Sequence, residues 1–162
     1  MTPDIDNIYH VGHPMKNQIK LRASNLSMNY EEGNIRHVLA GQTEIIRMIY
    51  PAVRVKNWLT INPEIRGEHF EINDNDFIIR YTSYFKSGEI DFLANICIEG
   101  KDNNSLVFIF EGEALSSFEK NRIGLCTLHP VTPYAGLICR IVHSDGTSEE
   151  SAFPEIISPH QI

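Results

Sequence analysis

The 162-residue sequence has no run of basic residues and no long apolar stretch, and these absences exclude two classes of partner. Acidic residues outnumber basic ones by 21 to 14, which gives a formal net charge of -7 at pH 7. A surface that follows nucleic-acid phosphates needs the opposite charge, so we expect no nucleic-acid partner. Because no stretch could cross a bilayer and the N-terminus lacks the regions of a secretory signal, we predict a cytoplasmic protein without a membrane partner.

Cysteine is also scarce. The sequence has three cysteines, Cys97, Cys126 and Cys139, and each lies in an apolar segment. Their odd number and their spacing match neither a disulfide framework nor a zinc site, so we predict buried reduced thiols, no metal and no cofactor. Cys126 lies three residues before His129, but on a strand these side chains would point to opposite faces, which argues against a nucleophile–base pair.

What the sequence does have is alternation of apolar and polar residues over many short segments. Residues 77–85 and 90–98 show it most clearly, with turn residues between them, and similar segments recur along the chain. Hydrophobic residues make up 42% and charged residues 22%, as in a folded globular domain. We therefore predict an all-β fold, an antiparallel β-sandwich that is either complete or half of a larger supersandwich. The predicted domain spans residues 18–162 and follows a flexible arm, residues 1–17.

Several boundaries follow from the same pattern. We predict one half-buried strand from residue 18 to near Met28, a second over residues 35–39, and one long strand or two short ones over residues 44–54, where Pro51 disfavours a helix. Residues 154–162 resemble ordered sequence that has been cut short. An open sheet edge there would attract a partner, so self-association is expected.

Four blocks carry a resemblance to a known family. They are GNIRHVLAGQTEIIRMIYPAVRVKNW at residues 33–58, FEGEALSSFEKNRIGLCTLHP at residues 110–130, HSDG at residues 143–146 and FPEIISPHQ at residues 153–161. In this order they resemble the N-terminal region of the D-apionate lactonase family. The resemblance implies a bacterial sugar-acid hydrolase in which a β-sandwich region precedes a barrel domain similar to those of glycoside hydrolases.

The sequence after the last block is missing relative to that family, which affects the expected function. The resemblance implies an N-terminal β domain that contributes substrate binding or structural support rather than complete catalysis, with a sugar acid or sugar lactone as ligand. A second copy, or a complementary domain supplied in trans, would complete the assembly. The alternative is a non-catalytic β-sandwich module that binds carbohydrate or packs against a partner protein.

Arg54, Trp58 and Arg122 are candidates for substrate binding. Arg54 and Trp58 lie four residues apart, and an arginine with an aromatic ring can hold a sugar by hydrogen bonding and stacking. The alternative for the single tryptophan is a core or interface anchor. Arg122 has the fork geometry that suits a sugar-acid carboxylate, or it forms an internal salt bridge to Glu111, Glu113 or Glu119.

His129, His143 and Asp145 complete the set of candidates, and none of the six is assigned a catalytic role. Lactone hydrolysis needs a base and an oxyanion donor, which a His143–Asp145 pair and Arg122 could supply. The alternative is that Asp145 and Gly146 build a type I′ turn while His143 caps a sheet edge. For His129, a hydrogen-bonded position before a proline-led loop and a ligand contact both remain open.

Overall fold

The computed structural model describes residues 18–156, and their regular structure is almost entirely antiparallel strand. The predicted all-β class is thereby confirmed, and the predicted arm, residues 1–17, lies outside the described residues. The strands are β1 (Ile19–Ala23), β2 (Leu26–Glu31), β3 (Asn34–Ala40), β4 (Thr43–Val55), β5 (Thr60–Ile61), β6 (Glu64–Ile72), β7 (Phe77–Ser87), β8 (Ile90–Lys101), β9 (Ser105–Ala114), β10 (Lys120–Leu128), β11 (Ile138–Val142) and β12 (Ser148–Ala152). A short helical turn, α1 (Val131–Tyr134), lies between β10 and β11.

The strands form two main sheets and a separate hairpin. The first sheet has the order β1-β2-β3-β4-β10, with β5 also paired to β4, and the second has the order β6-β7-β8-β9. β11 and β12 pair only with each other among the described strands. Because β10 returns along β4 after the whole second sheet has been laid down, it becomes an edge strand of the first sheet. The candidate site is built on this pairing.

One hydrophobic core lies between the two main sheets. Side chains alternate along each strand, so one face of each sheet supplies the core and the other faces outward. Inward-facing residues of both sheets join one buried cluster: Leu21, Ala23, Met28, Tyr30, Ile35, Val38 and Val53 from the first, and Phe77, Ile79, Tyr81, Phe85, Ile90, Phe92, Ala94, Ile96 and Ile98 from the second. The fold is therefore the antiparallel sandwich that the alternation predicted.

The prediction of one strand from residue 18 to Met28 was wrong, since the chain reverses at Ser24. Ser24 adopts a left-handed conformation with φ of 54°. Its N–H donates to the Asn75 carbonyl at 3.0 Å, and the N–H of Asn25 donates to Asn104 Oδ1 at 2.8 Å. These bonds hold the turn through loops distant in sequence, so no local pattern could reveal it. The long strand predicted over residues 44–54 is confirmed as β4.

Two tyrosine hydroxyls tie the sheets together across the core. Tyr30 on β2 donates to Glu68 Oε1 on β6 at 2.5 Å, and Tyr81 on β7 donates to the Gly33 carbonyl at 2.6 Å. The two rings meet edge to face, 6.0 Å between centroids. Burial raises the pKa of both phenols well above their ordinary value of 10.0, and the nearby Glu68 carboxylate adds to the shift.

Alkaline pH should therefore unfold this protein through Tyr30 and Tyr81. Because the folded-state pKa lies above the unfolded value, the stability that these phenols contribute is present below about pH 10 and is lost as the pH rises beyond it. We expect tyrosinate absorbance from these two residues to appear only together with loss of the near-ultraviolet circular dichroism signal. Full titration of every tyrosine with the dichroism signal retained would contradict this.

Candidate functional site

A groove runs along the outer face of β4 and β10. In the register of this pair, Arg54 lies opposite Arg122 and Ala52 opposite Gly124. On β4, Ala52 and Arg54 flank the buried Val53, so their side chains point away from the core. Arg122 and Gly124, directly opposite them on β10, share this outward face. The groove, which we call the β4–β10 groove, has a volume of about 590 Å³ and is lined by Ala52, Arg54 and residues 120–128.

The lining of the β4–β10 groove is cationic although the whole chain is acidic. It includes Lys120, Arg54 and Arg122 and no carboxylate. Three other cavities in the described part of the chain each include a carboxylate in their lining: Glu119 in the first, Glu68 in the second and Asp102 in the third. A concave surface that gathers one sign of charge favours a ligand of the opposite sign. The groove therefore suits a small anion.

Arg54 is held in place by its neighbours on the same face. Its Nη2 donates to Tyr50 Oη at 3.2 Å and lies 3.6 Å from Cys126 Sγ. The hydrogen bond to Tyr50 raises the pKa of Arg54 further, so the guanidinium stays charged across the accessible pH range. Burial, followed by the Cys126 contact, raises the pKa of Tyr50, which therefore remains a neutral phenol.

Arg122 joins the groove to the tryptophan. Its guanidinium carbon lies 5.1 Å from the centroid of the Trp58 ring, a cation–π contact. Glu119, one of the acids considered as its ion-pair partner, instead pairs with Lys56 at 2.8 Å. The two features that the sequence placed four residues apart, Arg54 and Trp58, are thus brought together with Arg122 by the return of β10.

Trp58 has an unusual backbone conformation. Its φ is 69°, in the left-handed region that bulky residues rarely adopt. The N–H of Trp58 donates to the Val55 carbonyl at 2.9 Å and that of Val55 to the Leu59 carbonyl at 3.0 Å, which closes the loop between β4 and β5. A tight hairpin loop usually places glycine at this left-handed position. Such strain concentrates at functional sites, which is consistent with a positioned ring.

His129 lies outside the groove, in an aromatic cluster. Its ring centroid is 5.8 Å from that of Tyr134 and 5.8 Å from that of Phe153, and the latter two rings are 5.4 Å apart. These three residues connect the end of β10 to the base of the β11–β12 hairpin. The structure therefore places His129 in a packing contact at this junction.

His143 and Asp145 lie in the turn of that hairpin and contact different groups. Asp145 Oδ1 accepts from the N–H of Thr147 at 2.9 Å and from its Oγ1 at 2.6 Å, and these bonds lower the pKa of the Asp145 carboxyl. His143 Nε2 lies 3.5 Å from Glu149 Oε1. The left-handed residue of the turn is Gly146, with φ of 85°, in its fourth position. Neither central residue, Ser144 or Asp145, has the positive φ that a type I′ turn requires, so the type I′ alternative was wrong.

Two residues at the site were missed by the sequence analysis: Lys120, which lines the groove, and Tyr50, which bonds to Arg54 beside it. Lys120 lies two positions before Arg122 and Tyr50 four positions before Arg54. On a regular strand an even spacing places side chains on one face, so the alternation pointed to Tyr50, whereas an irregularity in the pairing separates Lys120 from Arg122. The pairing shifts by one residue between Lys120 and Arg122, and this bulge changes the direction of the strand at the mouth of the groove.

The described part of the chain offers few other reactive arrangements. Residues 18–156 contain no group of three or more His, Cys, Asp or Glu placed to hold a metal ion. Cys97, Cys126 and Cys139 are unpaired and half-buried. Within the same range, no helix has the length and apolar character needed to span a membrane.

Comparison with known proteins gives a consistent result for almost the whole chain. Residues 7–162 match the family model described as the N-terminal domain of D-apionate lactonase. The D-apionate lactonase of Brucella anthropi is 33% identical over 142 residues, which is 87% of this chain and 23% of that relative. The chain thus spans less than a quarter of the length of the relative. No solved structure matches it.

Proposed function

Because this chain belongs to the family of D-apionate lactonase N-terminal domains, we propose that its β4–β10 groove binds the carboxylate of a branched sugar acid or the carbonyl end of its lactone. In this proposal the domain contributes substrate binding, and groups outside the chain complete the hydrolysis. The observation that carries the proposal is the cationic lining: Arg54, Arg122 and Lys120 with no carboxylate.

The two arginines could stabilise both the transition state and the product of lactone hydrolysis. A guanidinium presents a planar fork of N–H donors that matches a carboxylate, the group that ring opening creates. The same donors can stabilise the negative charge that develops on the lactone carbonyl oxygen during attack by water. Arg54 is already oriented by Tyr50, so little side-chain freedom is lost when it binds a ligand.

The aromatic groups support the recognition of a sugar. The Trp58 ring lies beside Arg122, and the Tyr50 hydroxyl lies beside Arg54. Aromatic rings contact the C–H faces of a sugar, while hydroxyl and amide groups such as that of Asn121 bond its hydroxyls. The site therefore combines two guanidinium groups with an aromatic residue beside each of them.

The groove lacks the histidine and carboxylate groups that most often activate water. Its lining, all within the described residues, includes no histidine and no carboxylate that could act as a general base. His129 and His143 contact other groups, in the aromatic cluster and near Glu149. The division of labour in the proposal follows from this: binding by this domain, and proton transfer by residues supplied from elsewhere.

The single tryptophan provides a direct test of the proposal. Since Trp58 contacts Arg122, a ligand that engages Arg122 should change the tryptophan fluorescence. We expect D-apionate to produce a saturable change that weakens as ionic strength rises, and the corresponding neutral sugar to produce little change. The measurement is a fluorescence titration at low and high salt.

A matched control uses another arginine on an aromatic ring. The guanidinium carbon of Arg66 lies 4.1 Å from the centroid of Tyr84, on the second sheet, so Arg66→Gln should leave the titration unchanged. A saturable response to the neutral sugar equal to that for the acid would refute the anion-binding proposal. So would the absence of any response to D-apionate.

A further inference from the structure

We propose that the β11–β12 hairpin is the docking surface for the portion of a lactonase polypeptide that follows this domain. This inference rests on membership in the family and on the surface of the hairpin. It does not depend on the ligand of the β4–β10 groove, so either proposal can fail without the other.

Exposed apolar side chains concentrate at this end of the described chain. Twelve large hydrophobic residues are exposed in the described part, and eight of them lie between residues 125 and 156. These eight are Leu125, Leu128, Val131, Leu137, Ile138, Ile141, Val142 and Ile156. Single exposed residues of this kind are ordinary on a protein surface, whereas a patch of them marks an interaction site, and four of the eight lie on or beside β11: Leu137, Ile138, Ile141 and Val142.

One face of the hairpin carries two strongly exposed members of this group. Ile138 lies opposite Ala152, and Val142 lies opposite Ser148. Because side chains alternate, Ile138, Arg140 and Val142 share a face, and Ile138 and Val142 are 77% and 64% exposed. Both strands of the hairpin pair only with each other among the described residues, so each also presents an open backbone edge.

Backbone hydrogen bonds hold together the open end of the hairpin, where β11 begins and β12 ends. The N–H of Phe153 donates to the Leu137 carbonyl at 2.9 Å, and the N–H of Gly136 donates to the Phe153 carbonyl at 3.0 Å. The aromatic cluster of His129, Tyr134 and Phe153 packs at the same point. A two-stranded hairpin alone is marginally stable in water, and this base together with a docking partner would supply the missing burial.

Membership in the family indicates which polypeptide would cover the hairpin. This chain matches an N-terminal domain, so the remainder of a relative follows the matched segment, and more than three quarters of the Brucella anthropi enzyme lies outside it. The exposed apolar surface is at the C-terminal end of the described residues, where that remainder would adjoin. A second copy of this chain is the competing occupant and forms one outcome of the test.

Binding to the remainder expressed as a separate polypeptide tests the proposal. The probe is the part of the Brucella anthropi D-apionate lactonase that follows its aligned segment, immobilised for biolayer interferometry against the 162-residue chain. We expect saturable binding that the double substitution Ile138→Glu/Val142→Glu weakens at least about tenfold, because two new carboxylates would be buried in an apolar contact. The control Ile109→Glu/Leu115→Glu, at exposed apolar positions elsewhere, should bind like the unsubstituted chain.

Thermal unfolding of both double variants checks that they fold, since all four positions are exposed. Equal binding by the Ile138→Glu/Val142→Glu variant, or no binding by the unsubstituted chain, would overturn the proposal. Light scattering provides the second arm. A dimer of the unsubstituted chain that dissociates in the Ile138→Glu/Val142→Glu variant would also overturn it, in favour of a second copy as the occupant.

Discussion

Arg122→Glu should weaken the binding of D-apionate to this protein by about two orders of magnitude. The substitution places a carboxylate in the β4–β10 groove, opposite Arg54 in the strand register, where it attracts Arg54 and repels the ligand. It also removes the cation from the face of Trp58. Losing a charged partner and gaining a repulsive one is expected to weaken binding by about a hundredfold. Isothermal titration calorimetry measures this without relying on Trp58, whose surroundings change in the variant.

Three variants separate the causes of that loss. Arg122→Lys keeps the charge but not the planar fork, so binding should be intermediate. Arg122→Gln removes the charge without reversing it, so this variant should bind D-apionate more weakly than Arg122→Lys does. Arg66→Glu makes the same charge change at an arginine that packs on Tyr84 in the second sheet, and it should bind normally. If Arg66→Glu lost as much affinity as Arg122→Glu, net charge rather than the groove would be responsible.

Gly100→Ala should be the most destabilising single methyl addition in the second sheet. Gly100 on β8 lies opposite Phe77 on β7, and a Cβ at Gly100 would lie 2.1 Å from Phe77 Cε1. Phe77 is 1% exposed and belongs to the buried core cluster, so displacing its ring would disturb the packing of that cluster. Overpacking of this kind costs about 3 kcal/mol, which for a domain of this size lowers the melting temperature by roughly 10 °C. Differential scanning calorimetry measures the shift.

A double-mutant cycle tests the cause. Phe77→Ala alone should destabilise by about 4 kcal/mol, because it opens a cavity in the core. In the Phe77→Ala background, however, Gly100→Ala should cost far less, since the clashing ring is gone. A coupling free energy of about 2 kcal/mol between the two positions is expected. Additive effects would show that the cost of Gly100→Ala comes from the backbone rather than from the ring.

The candidate site was predictable only in part. Arg54 and Trp58 stood out because their residue types and local spacing are suited to a sugar. Arg122 stood out alone, and nothing local could show that it meets Arg54 across β4 and β10. His143 and Asp145 looked like a base and its orienting acid because they are two residues apart. In the structure, hydrogen bonds to Thr147 engage Asp145, and His143 lies near Glu149.

The sequence by itself determined most of the strands, the inward faces of the clearest ones and the all-β class. Side chains on a strand point alternately to its two sides, so the period of two in segments such as residues 77–85 records burial directly. Only the tertiary structure decided which strands are neighbours. The turn at Ser24 depends on a hydrogen bond to Asn75, and the groove depends on β10 returning to β4. Such pairings join segments far apart in the chain, and their free energy comes from contacts that no local window of sequence contains.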